Sequence, residues 1–171
     1  MLAFGPTREG VHVRFATVVC AALLMPAGAI AAQSPGLVQY PDGYRAWAHV
    51  KSTAIGPTHK NFATQGGFQH IYANAEAMTG YRTRVFPEQS IVVFEWLEMT
   101  EQQGAFAEGP RRQVDVMVKD ARRFAQTGGW GFQRFVKDSK TELAAAPSPQ
   151  QCFACHDRLK RDGLVLSGYR P

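Results

Sequence analysis

Two cysteines and a histidine near the end of the chain form the pattern best suited to chemistry. Cys152, Cys155 and His156 lie in the stretch QQCFACHDR. The spacing C-x-x-C-H is the attachment pattern of a c-type haem. One helical turn separates the thiols, so each can add to one vinyl group of the porphyrin, and the next imidazole can become the proximal iron ligand. We therefore predict one covalently attached haem c with His156 as the metal ligand.

Other chemistry is possible for two close cysteines. A disulfide or a thioredoxin-type redox pair would use the same spacing, but the redox pair is expected at a helix start early in a βαβ unit. Here the motif follows a loop of Ala, Pro and Ser at residues 144–149. A zinc site needs two further ligands, and the remaining cysteine, Cys20, lies in an N-terminal apolar run. Haem attachment is the interpretation that these features favour.

The N-terminal residues have the pattern of a secretory signal. Arg8 and Arg14 precede an apolar run over residues 15–30, and Ala29-Ile30-Ala31 is a small-x-small cleavage site. The run is too short and too broken by Pro26 for a membrane span. We predict cleavage near Ala31, with a signal peptide at residues 1–31 and one domain at residues 32–171; an uncleaved anchor is the alternative.

The charge argues against a nucleic-acid partner. The formal net charge is +5 at pH 7, and loss of residues 1–31 lowers it by one. Nucleic-acid binding would need basic residues clustered on one face. Here they are scattered along the chain, apart from the doublets Arg111-Arg112 and Arg122-Arg123.

The position of the motif bears on the second axial face of the iron. The tail after His156, DRLKRDGLVLSGYRP, contains no strong iron ligand. A sixth ligand must come from upstream, and spacing singles out none of the candidates. We therefore expect an open distal face that binds small molecules, whereas a plain electron carrier would need a strong sixth ligand. The upstream candidates are His49, His59, His70, Met78, Met99 and Met117.

The apolar patterns predict an α+β fold, an antiparallel β-sheet with a few short helices. Long segments of 3.6-residue period are absent, which excludes a four-helix bundle. The strand at 90–99 alternates, so Val92, Phe94 and Trp96 share one face and Val93, Glu95 and Leu97 the other. The predicted elements are a short helix at 41–51, a loop at 55–67, a strand at 68–73, a short helix at 74–82, strands at 90–99, 111–120 and 128–136, a hairpin loop at 101–110 and a helix at the haem motif.

Five stretches carry a family resemblance. From about Tyr40 to Pro171 the chain resembles the cytochrome P-460 and cytochrome c′-beta family. The resemblance implies haem c packed against an antiparallel sheet, a five-coordinate iron with a C-terminal proximal histidine, a periplasmic location, a homodimer and a possible redox partner protein. The stretches are YPDGYRAWAHVKS, GGFQHIYANAEAMTGYRT, FPEQSIVVFEWLE, VMVKDARRFAQTGGWGFQRF and CFACH.

The two branches of the family differ in one lysine. The cytochromes P-460 carry a lysine–porphyrin cross-link and oxidise hydroxylamine to nitric oxide and nitrous oxide. Their lysine lies between the IYA-type strand and the next strand. Here that segment, NAEAMTGYRTRVFPEQS, contains Arg82 and Arg84 but no lysine, and arginine is a poor nucleophile. The resemblance therefore favours the c′-beta branch, which binds nitric oxide or similar small ligands, with hydroxylamine oxidation as the alternative.

The resemblance also suggests aromatic residues at the distal face. Phe94 is the first candidate, and Phe62 and Phe68 are the second. Glu95 is a candidate proton acceptor for hydroxylamine chemistry, although alternation turns it away from Phe94. Possible partners of the haem propionates are Arg45, Arg134 and Arg158.

Overall fold

The computed structural model describes residues 1, 2, 5, 38–145 and 147–171. The chain divides into two units, residues 1–32 and 33–171, and every element below belongs to the second. The predicted signal peptide lies almost wholly outside the described residues, so it stays a prediction. No helix in the described ranges is long and apolar enough to cross a membrane.

A five-stranded antiparallel sheet forms the body of the domain. The strands follow one another in chain order across the sheet, β1-β2-β3-β4-β5. Short helices connect or follow them, which confirms the α+β prediction. The strands are β1 Ala48–Ile55, β2 Gly67–Ala73, β3 Ile91–Gln102, β4 Ala105–Lys119 and β5 Trp130–Val136, and the helices are α1 Phe62–Gln65, α2 Ala75–Thr83 and α3 Pro149–His156. Short 3₁₀ helices cover Tyr44–Ala46, Ala125–Thr127 and Asp157–Asp162.

The sheet has two buried faces because side chains alternate along each strand. Phe94 on β3 pairs with Ile71 on β2 and with Asp115 on β4, and Asp115 pairs with Arg134 on β5. We call the face that carries this row the cavity face. The next row, through Glu95, lies on the face that we call the opposite face.

Each face has its own apolar core. The core of the cavity face is covered by α2, α3 and the C-terminal tail, whereas residues before β1 and after β4 cover the opposite face. The alternation predicted for β3 is therefore confirmed. The cavity-face core contains Val50, Ile71, Ala73, Ala77, Met78, Phe86, Val92, Met117, Trp130, Phe132, Leu164 and Val165. The opposite core contains Val38, Tyr44, Val93, Val114, Val116, Phe124 and Phe135.

The helix predicted at residues 41–51 is wrong. The structure has a 3₁₀ turn at Tyr44–Ala46 and then the edge strand β1. The three-residue spacing of Tyr44, Trp47 and Val50 suggested one helical face, but Tyr44 packs in the opposite core and Val50 in the cavity-face core. Within β1 only Val50 is buried. An edge strand with one buried residue and a register shift after His49 leaves no period-two signal.

The hairpin loop predicted at residues 101–110 is also wrong, because the loop in the structure is much shorter. β3 and β4 pair as far as Gln102 with Ala105. Gln103 and Gly104 form the tight turn between them, with φ of 53° and 81°. Positive φ at both central residues matches the right-handed twist of a hairpin, so a two-residue turn suffices and the flanking residues extend the strands.

Candidate functional site

Helix α3 presents the C-x-x-C-H motif. Ser148 caps its start by accepting a hydrogen bond from the backbone N–H of Gln151, and the Gln151 side chain accepts one from the Ser148 N–H. Pro149 occupies the first turn, where its missing N–H is harmless. These local signals fix where the helix begins, and the predicted helix at the motif is confirmed.

The hydrogen bond of the His156 imidazole shows which ring nitrogen carries the proton. Its Nδ1 lies 2.7 Å from the backbone carbonyl oxygen of Leu164. A carbonyl can only accept, so Nδ1 carries the proton and Nε2 keeps a lone pair, the form that a metal requires. Burial lowers the pKa of His156, which favours the neutral ring. The Phe132 ring lies against it, with 5.1 Å between ring centroids.

The two thiols are both available. Neither Cys152 nor Cys155 is in a disulfide; Cys152 is half-buried and Cys155 is exposed. Burial, followed by the nearby negative charge of Asp115, raises the pKa of the Cys152 thiol. Both sulfur-bearing residues line the same cavity as His156.

That cavity lies between α3 and the cavity face of the sheet. Its volume is about 500 Å³, within the range of roughly 300–1,000 Å³ usual for cofactor and ligand sites. The C-terminal tail closes one side through Val165, Leu166 and Ser167. Its sheet wall is mainly apolar, with Ile71, Val92, Phe94, Trp96, Met117 and Phe132.

Three charged side chains also line the cavity, one each from β1, β4 and β5: Lys51, Asp115 and Arg134. Arg134 donates from Nε and Nη2 to the two carboxylate oxygens of Asp115 at 2.6 and 2.8 Å. This bidentate pair raises the pKa of Arg134. Sequence reasoning missed both Lys51 and Asp115 as site residues. Asp115 does lie within the strand predicted at residues 111–120, whereas the helical interpretation of residues 41–51 hid Lys51.

The structure separates the three phenylalanine candidates. Phe94 lines the cavity, whereas Phe62 and Phe68 are not among its lining residues. Phe68 pairs with Leu97 and stacks beside His70 at 6.2 Å between ring centroids. The aromatic residues that line the cavity besides Phe94 are Trp96 and Phe132.

Among the six upstream candidates for a sixth ligand, Met117 is the one that lines the cavity. Met78 is packed in the cavity-face core. His49 and His70 both contact the hydroxyl of Ser52, at 2.8 and 2.7 Å. No imidazole other than that of His156 occurs among the described residues that line the cavity.

Glu95 lies on the opposite face and is not a lining residue. Its carboxylate is fully buried and accepts hydrogen bonds from Tyr44 Oη at 2.8 Å, Arg45 Nε at 3.0 Å and Arg111 Nε at 2.7 Å. Although burial acts to raise it, these contacts from Tyr44 and the arginines hold the pKa of Glu95 below its usual value. The structure therefore does not bring Glu95 to the motif, and Arg45 is engaged with Glu95.

The donor set fits haem. Two free thiols one helical turn apart and an imidazole with an unprotonated Nε2 line one mainly apolar cavity. Lys51 is a cation that a propionate group could pair with, whereas Nε and Nη2 of Arg134 are already bound to Asp115. A direct metal site fits less well, since no group of three or more His, Cys, Asp or Glu side chains in residues 38–145 and 147–171 could hold a metal ion.

Comparison with known proteins agrees with this geometry. The family model described as Cytochrome P460 matches residues 41–167, which include all five strands and the C-x-x-C-H helix. No curated protein matches the chain. The matched range covers most of the chain, the sheet and the cavity. The chain belongs to the Cytochrome P460 family and is a haem-binding cytochrome.

Proposed function

We propose that the protein is a periplasmic cytochrome with one covalent haem c and an open distal site that binds nitric oxide or a similar small ligand. One observation carries this proposal. The cavity that contains Cys152, Cys155 and His156 is otherwise walled mainly by apolar side chains, with no second imidazole among its described lining residues. When bound there, haem supplies an iron centre able to take up small ligands.

The chain's own residues have separate tasks in this proposal. Cys152 and Cys155 anchor the group, and His156 offers Nε2 to the iron because Leu164 holds the Nδ1 proton. Phe94 is the candidate distal residue. A phenyl ring donates no hydrogen bond, so it disfavours polar oxygen adducts relative to nitric oxide or carbon monoxide.

Export, location and partner proteins are further parts of this proposal. The signal pattern at residues 1–31 supports export, and the family resemblance supports the periplasm, a homodimer and a redox partner protein. A strong sixth ligand would argue for electron transfer instead. Met117 is the described cavity residue that could supply one, because it lines the cavity and carries a thioether.

The first test is the visible spectrum of the purified reduced protein before and after addition of nitric oxide. We expect a high-spin haem c spectrum that changes on addition. A low-spin spectrum that becomes high-spin in Met117→Leu would identify Met117 as a sixth ligand and overturn the open site. A Soret band shifted strongly to the red would indicate a modified porphyrin.

Hydroxylamine oxidation is the second candidate function, and a specific observation favours it. The cavity contains a lysine, Lys51, and a carboxylate, Asp115, although the segment at residues 74–90 has no lysine. Lys51 is the residue that could reach the porphyrin rim, and Asp115 could accept a proton if its ion pair with Arg134 opened.

Two measurements separate the candidates. Mass analysis of haem-containing peptides shows whether the group is attached at residues 152 and 155 alone or also to a peptide containing Lys51. Turnover of hydroxylamine with an artificial electron acceptor then tests activity. Turnover that is lost in Asp115→Asn would favour the oxidase, and its absence in the wild type would exclude it.

A further inference from the structure

The stretch GGWGF, residues 128–132, lies in and just before β5, and apart from Phe132 its residues have no role in the site described so far. Its side chains point toward α3 and the C-terminal tail. Trp130 is 1% exposed and its indole Nε1 donates to the carbonyl oxygen of Gly163 at 3.1 Å. That carbonyl belongs to the peptide group immediately before Leu164, whose own carbonyl accepts from His156.

Leu164 has an unusual backbone. Its φ is +67°, and Gly163 before it has a φ of +65°. A non-glycine residue in the left-handed region persists only where its surroundings hold it. The conformation of Leu164 determines where its carbonyl points, so the Nδ1 hydrogen bond of His156 depends on this turn.

Hydrogen bonds hold both peptide groups that flank Leu164. On the first, the carbonyl of Gly163 accepts from Trp130 and the N–H of Leu164 donates to Leu159 at 3.1 Å. On the second, the N–H of Val165 donates to Asp162 at 3.3 Å and the carbonyl accepts from His156. Trp130 is the one side chain besides His156 in this set, and it comes from the sheet.

Gly128 allows the turn to approach the sheet. A Cβ at residue 128 would lie 2.5 Å from Cδ1 of Leu164 and 3.1 Å from Cε2 of Phe153. Gly128 also has a φ of +65°, in the left-handed region that residues with a Cβ rarely adopt. Within the same stretch, Phe132 contacts the imidazole of His156 directly.

We propose that Trp130 is a positioning residue for the proximal histidine: its hydrogen bond to Gly163 holds the Leu164 carbonyl on Nδ1 of His156. A firm bond at Nδ1 makes Nε2 a stronger donor to iron, and outer partners of this kind tune a metal centre. This inference rests on the proposed ligation of the iron by His156.

The test is Trp130→Phe, which keeps an aromatic ring and removes the donor, measured on the reduced holoprotein. We expect the Fe–His stretching band in the resonance Raman spectrum to move to lower frequency and the reduction potential to rise. We also expect nitric oxide to displace the proximal histidine faster, on the order of tenfold. Phe135→Leu is the matched control, because Phe135 is buried on the same strand but in the opposite core.

A purely structural role would give another result. If Trp130→Phe lowers the melting temperature but leaves the Fe–His band and the potential as in the wild type, the proposal is overturned. If that variant does not accumulate as folded holoprotein, incorporation of 3-benzothienylalanine at residue 130 keeps a bicyclic ring of nearly the same size and removes only the N–H donor, and the same downshift is required of it. A wild-type protein with no Fe–His band would overturn the proposed ligation as well, which separates the two failures.

Discussion

The two faces of the sheet differ in what they enclose. The cavity face leaves about 500 Å³ of space against a reactive motif and holds a left-handed turn at Leu164. The opposite face leaves no such space around Glu95. It surrounds this fully buried carboxylate with Tyr44, Arg45 and Arg111.

The difference follows from what each face must do with polar groups. A buried carboxylate must find partners within the protein because its desolvation is costly. The cavity can instead leave Nε2 of His156 unprotonated and both cysteines outside a disulfide, because a cofactor can supply their partners. We therefore expect substitutions on the cavity face to change haem chemistry and those on the opposite face to change stability.

The largest effect is expected at Cys152 and Cys155, the proposed attachment cysteines. The double variant Cys152→Ala with Cys155→Ala should abolish covalent haem attachment, because no thioether can form. A haem stain after denaturing electrophoresis, together with the mass of the intact protein, measures this directly. Ala154→Ser, between the two cysteines, is the control and should retain haem. Covalent haem in the double variant would contradict the assignment of the motif.

On the opposite face the largest effect should come from Glu95→Gln. Loss of the charge leaves Arg45 and Arg111 without their shared partner, and breaking a buried pair costs about 3–5 kcal/mol. Denaturant unfolding measures the free energy. Glu108→Gln is the control, because Glu108 is half exposed and its contact with Arg45 is 3.5 Å long, so we expect about 1 kcal/mol or less.

The same variant also tests the sequence-based hypothesis that Glu95 accepts protons at the iron. The structure predicts an unchanged visible spectrum and unchanged ligand binding in folded Glu95→Gln. A changed spectrum or changed ligand binding, together with an unchanged free energy of unfolding, would contradict the assignment of haem chemistry to the cavity face and of stability to the opposite face.

A smaller effect is expected at the sheet wall of the cavity. Phe94→Ala should speed the binding of carbon monoxide or nitric oxide on the order of tenfold, equivalent to about 1.4 kcal/mol of barrier, because a bulky ring leaves the wall. Flash photolysis or stopped flow measures the rate. Phe68→Ala is matched in chemistry but lies outside the cavity lining, and its rate should equal that of the wild type. A binding rate in Phe94→Ala equal to that of the wild type would show that Phe94 does not lie in the distal wall.

The smallest expected effect is the pH dependence from Glu95. Its folded-state pKa is lowered, so the stability it contributes is fully present above the unfolded-state pKa of about 4.3. That contribution is lost as the pH falls through the lower folded-state pKa. The difference in unfolding free energy between wild type and Glu95→Gln should therefore be constant from pH 7 to about pH 5 and shrink below about pH 4. A difference that grows on acidification would contradict the assignment.

Local sequence patterns were enough to predict the helix at the C-x-x-C-H motif, the α+β class and the alternation that separates Phe94 from Glu95. These features are local: a motif of five residues and a period of two along β3. Each depends on neighbours within a few positions, which is why pattern reasoning reaches it.

The contacts between side chains that are distant in sequence became known from the folded structure. Lys51 enters the cavity because β1 pairs at the sheet edge, and its segment carries no local strand pattern. Arg134 and Asp115 meet through the register of β4 and β5, nineteen residues apart. The turn at Leu164 reaches His156 and Trp130 by packing of the tail against β5. Such contacts depend on long-range register and on the space between elements, which no local periodicity encodes.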